Sequence, residues 1–219
     1  MTEQQTPTER RALRSGVVFA ALQLCALAFI AAVVLPTLGS INADPSRKAA
    51  SFVQNGWLLR LGNYLLACCS PFFLFFLPGL ASSIRRLGAN TLATAVLVSG
   101  AAMAMIWPMG AAITDVAVDI ARAGGDAATV AGLEAMAPYS LAVAAWPRIA
   151  LVVAASLALQ QRRGPLTRLA RLGWVVAGLS AIGTATPLVP TLFAALALST
   201  LLFDVWVIAV ALAFHRNGI

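Results

Sequence analysis

The chain has 219 residues, 60% of them apolar and only 11% charged, with fifteen Lys and Arg against eight Asp and Glu for a net charge of +7. A mean hydropathy of +0.87 excludes a soluble enzyme and a disordered tail. Three cysteines are too few for a disulfide framework, and a single histidine excludes a multi-histidine metal or haem site.

A transmembrane helix needs roughly 20 mostly apolar residues to cross about 30 Å of hydrocarbon. Six stretches qualify: Gly16 to Leu35, Trp57 to Leu80, Thr91 to Ile113, Leu141 to Leu159, Leu172 to Leu188 and Thr191 to Phe214. They are too long and too evenly apolar for barrel strands, so the expected fold is all-α, a polytopic transmembrane bundle of six spans. The first span follows Arg10, Arg11 and Arg14 like a signal peptide. Its apolar run is too long for one, and Pro36-Thr37-Leu38 is a poor cleavage site. The chain thus divides into a tail (1–15), one six-helix domain (16–214) and a second tail (215–219).

In the first outer loop, Asp44-Pro45 reads as a helix start and Asn55-Gly56 as its stop. Ala49, Ala50, Phe52 and Val53 give this short helix an apolar side that can lie on the membrane face. In the second, Gly124-Gly125 breaks the chain and Asp126 caps a helix running to about Met136. Such helices either bridge a connection or form a lid.

Loop charges set the orientation. Arg10, Arg11, Arg14, Arg85, Arg86, Arg162, Arg163, Arg168, Arg171 and Arg216 fall on one side. Only Arg47, Lys48 and Arg122 fall on the other, with Asp44, Asp115, Asp119, Asp126 and Glu134. The cation-rich side is cytoplasmic, so both termini are expected inside. The rule absorbs the arginines without nucleic-acid binding. Trp57 and Tyr139 fall at outer boundaries and Trp174 at an inner one, whereas Trp107, Trp146 and Trp206 read as packing residues. All the cations but Lys48 are arginine. With the high alanine content, this points to a bacterial plasma membrane.

Three charged groups lie inside spans, where each costs on the order of 2.5–3.5 kcal/mol on insertion scales: Arg60, Arg148 and Asp204. Arg60, Asn63 and Tyr64 share a helical face, and Thr200 lies one turn before Asp204. Arg60 is shallow enough to snorkel to the interface, and Arg148 with Asp204 can form a buried pair. The alternative is an outward-opening ligand site lined by Arg60, Asn63, Tyr64 and Arg148 with Asp204 at its floor. Its two cations against one anion suit an anionic head group. Asp204 near the midplane can instead carry a proton, with His215 too far inward to serve as its relay. On the fifth span, Ser180 aligns with Thr184, and Gly173, Ala177, Ala181 and Ala185 form a small-residue stripe that favours close packing.

Cys68-Cys69 reads as an inert intramembrane pair, and Pro71, Pro78 and Pro108 as bends. Gly178-Leu179-Ser180-Ala181 with His215 is a poor match to rhomboid-type serine proteases, because Ala181 replaces the glycine and His215 lies at the membrane edge. No enzyme motif, cofactor site or metal-ligand pattern is left. Asp44-Pro45, Leu58-Leu59-Arg60-Leu61-Gly62, the Phe72 to Leu80 run ending near Ile84-Arg85-Arg86, and Leu169-Ala170-Arg171-Leu172-Gly173-Trp174 resemble an uncharacterised group of bacterial six-span membrane proteins common in actinobacteria. That resemblance implies no particular activity. The expectation is a non-enzymatic multi-pass protein in contact with membrane lipids, without nucleic acid or metal. It either binds a lipid or small amphiphile or modulates a membrane partner, as a homo-oligomer or with another protein. The alternative is a small transporter for an anionic or amphiphilic solute.

Overall fold

The computed structural model describes residues 6–38, 44–162 and 164–217. Arg163, counted above among the inner cations, lies outside the described residues, as do the outermost parts of both tails. Among the described residues the chain is entirely helical, with α1 (Pro7–Phe29), α2 (Pro45–Arg86), α3 (Asn90–Arg122), α4 (Ala127–Gln160), α5 (Pro165–Gly183) and α6 (Phe193–Asn217). Five of the described helices, all but α5, are long and apolar enough to cross a membrane.

Three of the helices begin at a side-chain cap. Thr6 and Glu9 form a reciprocal capping box ahead of Pro7. Asp44 accepts from the backbone N–H of Ser46, and Asp126 from that of Thr129. These bonds hold both exposed carboxyls below their ordinary range, Asp44 chiefly through the Ser46 side chain and Asp126 chiefly through the Thr129 backbone. Gly88, Gly124 and Gly164 take positive φ at the turns before α3, α4 and α5.

α1 does not end at Pro36. It passes through a π-helical turn, Ile30–Val34, in which the N–H of Leu35 reaches back five residues to Ile30, and continues as Leu35–Leu38. The wide turn makes room for the proline ring, which would clash with the carbonyl four residues back in a regular helix.

The two outer helices expected from the sequence are not separate elements. Asn55-Gly56 stops nothing, and residues from Pro45 run unbroken to Arg86. The backbone of Gly56 is pressed against α3, where a Cβ would come within 2.6 Å of Val118 Cγ1, so this glycine serves close approach rather than a turn. The helix opened by Asp126 likewise continues past Met136 and through Pro138 to Gln160, because Val130 and Leu133 anchor its first turns. At 1.5 Å per residue, the 42 residues of α2 reach about 63 Å, twice the hydrocarbon thickness.

Consecutive helices pack side by side, and α6 returns against α1 to close a ring. Across it α2 meets α4, and α4 touches α6 along a short stretch. The main core carries an aromatic layer. Phe19 lies 4.8 Å from Phe73 and 6.5 Å from Phe203, ring centre to ring centre, with Trp107 edge-on at 6.2 Å. A second core of Val34, Leu38, Phe52, Ala117, Val118, Ala121 and Val130 joins the ends of α1 to α4 into a crown. Lys48 of α2 pairs there with Glu134 of α4. At the opposite end Arg86 Nη1 lies 2.6 Å from Glu9, and Arg14 meets His215 at 3.5 Å, so the start of α1 and the end of α6 share one face of the bundle.

Small residues set the closest contacts. A Cβ on Gly183 would fall 2.8 Å from Leu196 Cα, and one on Gly79 2.8 Å from Ala12 Cβ. Of the small-residue stripe expected on α5, Gly173 and Ala177 are buried but Ala181 is exposed; the neighbouring Ser180 is buried instead. Trp206 is buried, its indole N–H donating to the Leu169 carbonyl at 3.0 Å. Trp146, expected to pack inside, faces outward, because Arg148 two residues on takes the inner face of α4.

Candidate functional site

The five residues singled out from the sequence separate into two places. Arg60 and Asn63 stay together between α2 and α3, at the base of the crown. Arg60, with its side chain 34% exposed, pairs with the exposed Asp119, and its Nη2 donates to the Asp115 carbonyl at 3.3 Å. The buried amide of Asn63 donates to Asp115 Oδ1 at 2.8 Å, Thr114 Oγ1 at 2.9 Å and the Ala111 carbonyl at 3.2 Å. With one cation against two carboxylates, this set leaves no positive charge unmatched and reads as a clamp between two long helices. Tyr64 takes no part in it; one residue on from Asn63, it turns outward and is 66% exposed.

Arg148 and Asp204 sit on a different helix pair, α4 and α6, inside the ring. Ala144 and Ala155, small and buried on the same face of α4, leave the guanidinium room. Arg148 is 4% exposed. Its Nη1 donates to Thr200 Oγ1 and its Nη2 to Ser199 Oγ, both at 2.7 Å, and its Cζ lies 6.0 Å from the Phe203 ring centre. Both hydroxyls pass their own hydrogens to the Leu196 carbonyl, at 2.7 Å for Ser199 and 3.0 Å for Thr200, which leaves their oxygens to face the cation.

The buried pair does not form. Arg148 makes none of the ion pairs among the described residues, and its Nε has no partner. Asp204 is 0% exposed, and neither of its carboxylate oxygens is hydrogen-bonded. The reason is register. Arg148 reaches the turn of α6 that carries Ser199 and Thr200, one turn outward of Asp204.

A further interior group was not among the expected ones. Gln23 of α1 is 0% exposed, with both amide atoms unpartnered. It stands one turn beyond Phe19 on the buried face of α1, as Cys69 stands one turn beyond Phe73 on antiparallel α2. Since Phe19 and Phe73 are in ring contact, Gln23 and Cys69 share a level just outside the aromatic layer. Ser180 of α5 and Ser156 of α4 are buried hydroxyls without partners as well. Such groups cost roughly 1–3 kcal/mol each, and a charged one more. Together with an unpaired guanidinium and carboxylate, they mark the buried interior as the chemically unusual part of the molecule.

Among the described residues no group of three His, Cys, Asp or Glu side chains is placed to hold a metal ion. Comparison with protein-family models, curated protein sequences and solved structures finds no match to this chain.

Proposed function

We propose that the protein crosses a bacterial plasma membrane six times, with both termini in the cytoplasm, and binds a monoanionic head group at Arg148. Six passages are supported by the meeting of Arg14 with His215, since the two ends of the chain then lie on one side. They are also supported by α5, whose 19 residues give about 28 Å of helix although Arg168 and Arg171 make its first turns polar. The arginine excess on that same side supports a cytoplasmic assignment.

The observation that carries the binding reading is a buried guanidinium held by two hydroxyls and a ring, with no carboxylate on it and Nε still free. A structural arginine inside a membrane protein is normally paired with an opposite charge. This one is oriented by neutral groups, which leaves its charge available, and a guanidinium presents parallel donors to carboxylate or phosphodiester oxygens. The head group is that of an amphiphile or of a free solute, which share this chemistry. The resemblance to an uncharacterised six-span group is compatible with this reading and adds no activity to it.

The test is thermal unfolding of the full chain in zwitterionic nanodiscs, titrated with short-chain phosphatidylglycerol, with its chain-free head glycerophosphoglycerol, and with short-chain phosphatidylcholine. Saturable stabilisation of about 2.7 kcal/mol at a hundredfold excess over Kd is expected with the phosphatidylglycerol. It should be absent with phosphatidylcholine and lost in Arg148→Gln. Equal stabilisation by glycerophosphoglycerol assigns a solute, and none assigns an amphiphile. An unchanged response in Arg148→Gln refutes the site.

A further inference from the structure

The head-group reading leaves Asp204 unexplained. Among the described residues it is the charged side chain with the least exposure, 0%, and it lies in the same interior as the guanidinium without touching it. We infer that Asp204 is the proton-binding member of the Arg148 site, so that an anion bound there enters together with one proton; this rests on the head-group reading above.

The argument is one of charge in an enclosed space. With Asp204 ionised, the interior holds one cation and one anion, and a bound monoanion leaves it with a net charge of −1. With Asp204 protonated, the same monoanion leaves it neutral. Away from water, charge interactions are several-fold stronger than at an exposed surface, so the neutral combination is strongly favoured. The balance is simple: a solvent proton attaches to a carboxylate oxygen of Asp204, the anion takes up the charge of Arg148, and no covalent bond of the ligand changes.

The surroundings fit that role. Neither carboxylate oxygen is engaged, so one is available to carry the proton, and the Gln23 amide, with both atoms free, lies in the same interior. The groups that face Asp204 electrostatically are Arg148 from α4 and Cys69 from α2, with Cys25 of α1 acting in turn on Cys69. The Cys69 thiol is engaged with the Leu65 carbonyl at 3.2 Å. The other charged groups on elements packed against α6 lie at its two ends: Glu9, paired with Arg86, Arg10, Arg11 and Arg14 of α1 and the exposed Arg168 and Arg171 of α5 at the inner end, and Glu134 of α4, paired with Lys48, in the crown. No second carboxylate competes for the proton in the interior among the described residues. A carboxylate that picks up its proton only as an anion arrives would link the two in uptake, which joins the binding and transport expectations in one device.

The experiment is calorimetric titration of the full chain in zwitterionic nanodiscs between pH 5 and pH 10. The ligand is whichever of short-chain phosphatidylglycerol or glycerophosphoglycerol stabilises the protein; a phosphodiester keeps its single charge throughout. Affinity should fall as pH rises, approaching about tenfold per unit on the alkaline side of the Asp204 transition. Repeating the titration there in two buffers of different ionisation enthalpy should show about one proton taken up per ligand. Asp204→Asn should bind at every pH with the affinity that the parent shows in acid, whereas His215→Gln should keep the parent profile. Should Asp204→Asn fail to fold, the two-buffer measurement on the unaltered protein still decides. Binding that is flat with pH and takes up no proton overturns the inference and leaves the head-group reading standing. Absence of binding by both probes overturns both.

Discussion

The crown that joins the ends of α1 to α4 depends on one nearly enclosed ion pair. The Lys48 side chain is 6% exposed and that of Glu134 22%, and they tie the start of α2 to the start of α4 over a small apolar core. Removing one partner of a buried pair costs about 3–5 kcal/mol, because the other charge is stranded. Lys48 is the more enclosed, so Glu134→Leu should cost about 3 kcal/mol. Lys48→Met should cost about 2 kcal/mol, since Glu134 retains some solvent. Lys48→Met combined with Glu134→Leu strands nothing and should lie within about 1 kcal/mol of the parent. The assay is hydrogen exchange at the backbone of 45–56 and 127–137 in nanodiscs, which reads local opening of the crown. The cycle should give a coupling of at least about 2 kcal/mol. Costs that add to within about 0.5 kcal/mol, as for unconnected sites, would refute the claim that this pair holds the crown.

Glycines on α5 give a matched comparison. Gly183→Ala puts a methyl 2.8 Å from the Leu196 backbone of α6 and should lower the melting temperature by several degrees, whereas Gly178→Ala, with nothing within 4 Å, should not lower it; equal effects would contradict the packing. Asp126 titrates below its unfolded value, so its cap is present above about pH 4 and is lost as pH falls through the lower folded pKa. Exchange at the first turn of α4 should therefore rise in that acid window in the parent. It should be pH-independent there in Asp126→Asn, which keeps a cap without a titrating group, apart from the intrinsic rate.

Much of the helical order is legible in the sequence, because apolar runs, Asp caps and glycine turns act locally. Asp44 and Asp126 each start the helix that follows them, and Gly124-Gly125 turns the chain as expected. What the sequence hides is decided between helices. Asn55-Gly56 and Pro36 look like stops, yet Gly56 is held in helix by contact with Val118, and Pro36 is accommodated by a wide turn. The partners of Arg60 and Asn63 are Thr114, Asp115 and Asp119, assigned above to the far end of another span or its loop. Matching Arg60 by depth to the outer end of an antiparallel neighbour would have found them. Depth alone also suggested pairing Arg148 with Asp204, but the register along α6 sets Ser199 and Thr200, one turn further out, against the guanidinium. Gln23 has only Phe19, Ala20, Ala26 and Leu27 at helical spacing, so no polar neighbour singles it out in the sequence, although a buried amide without partners is out of place in a span.

The most direct test is an experimentally determined structure of the protein in lipid with short-chain phosphatidylglycerol or glycerophosphoglycerol bound. The account predicts an anionic oxygen about 2.7–2.9 Å from Arg148 nitrogens, Nε included, with Ser199 and Thr200 still on the guanidinium and Asp204 apart from it. A structure in which the Asp204 carboxylate lies directly on Arg148, and the ligand is seated elsewhere, would contradict it.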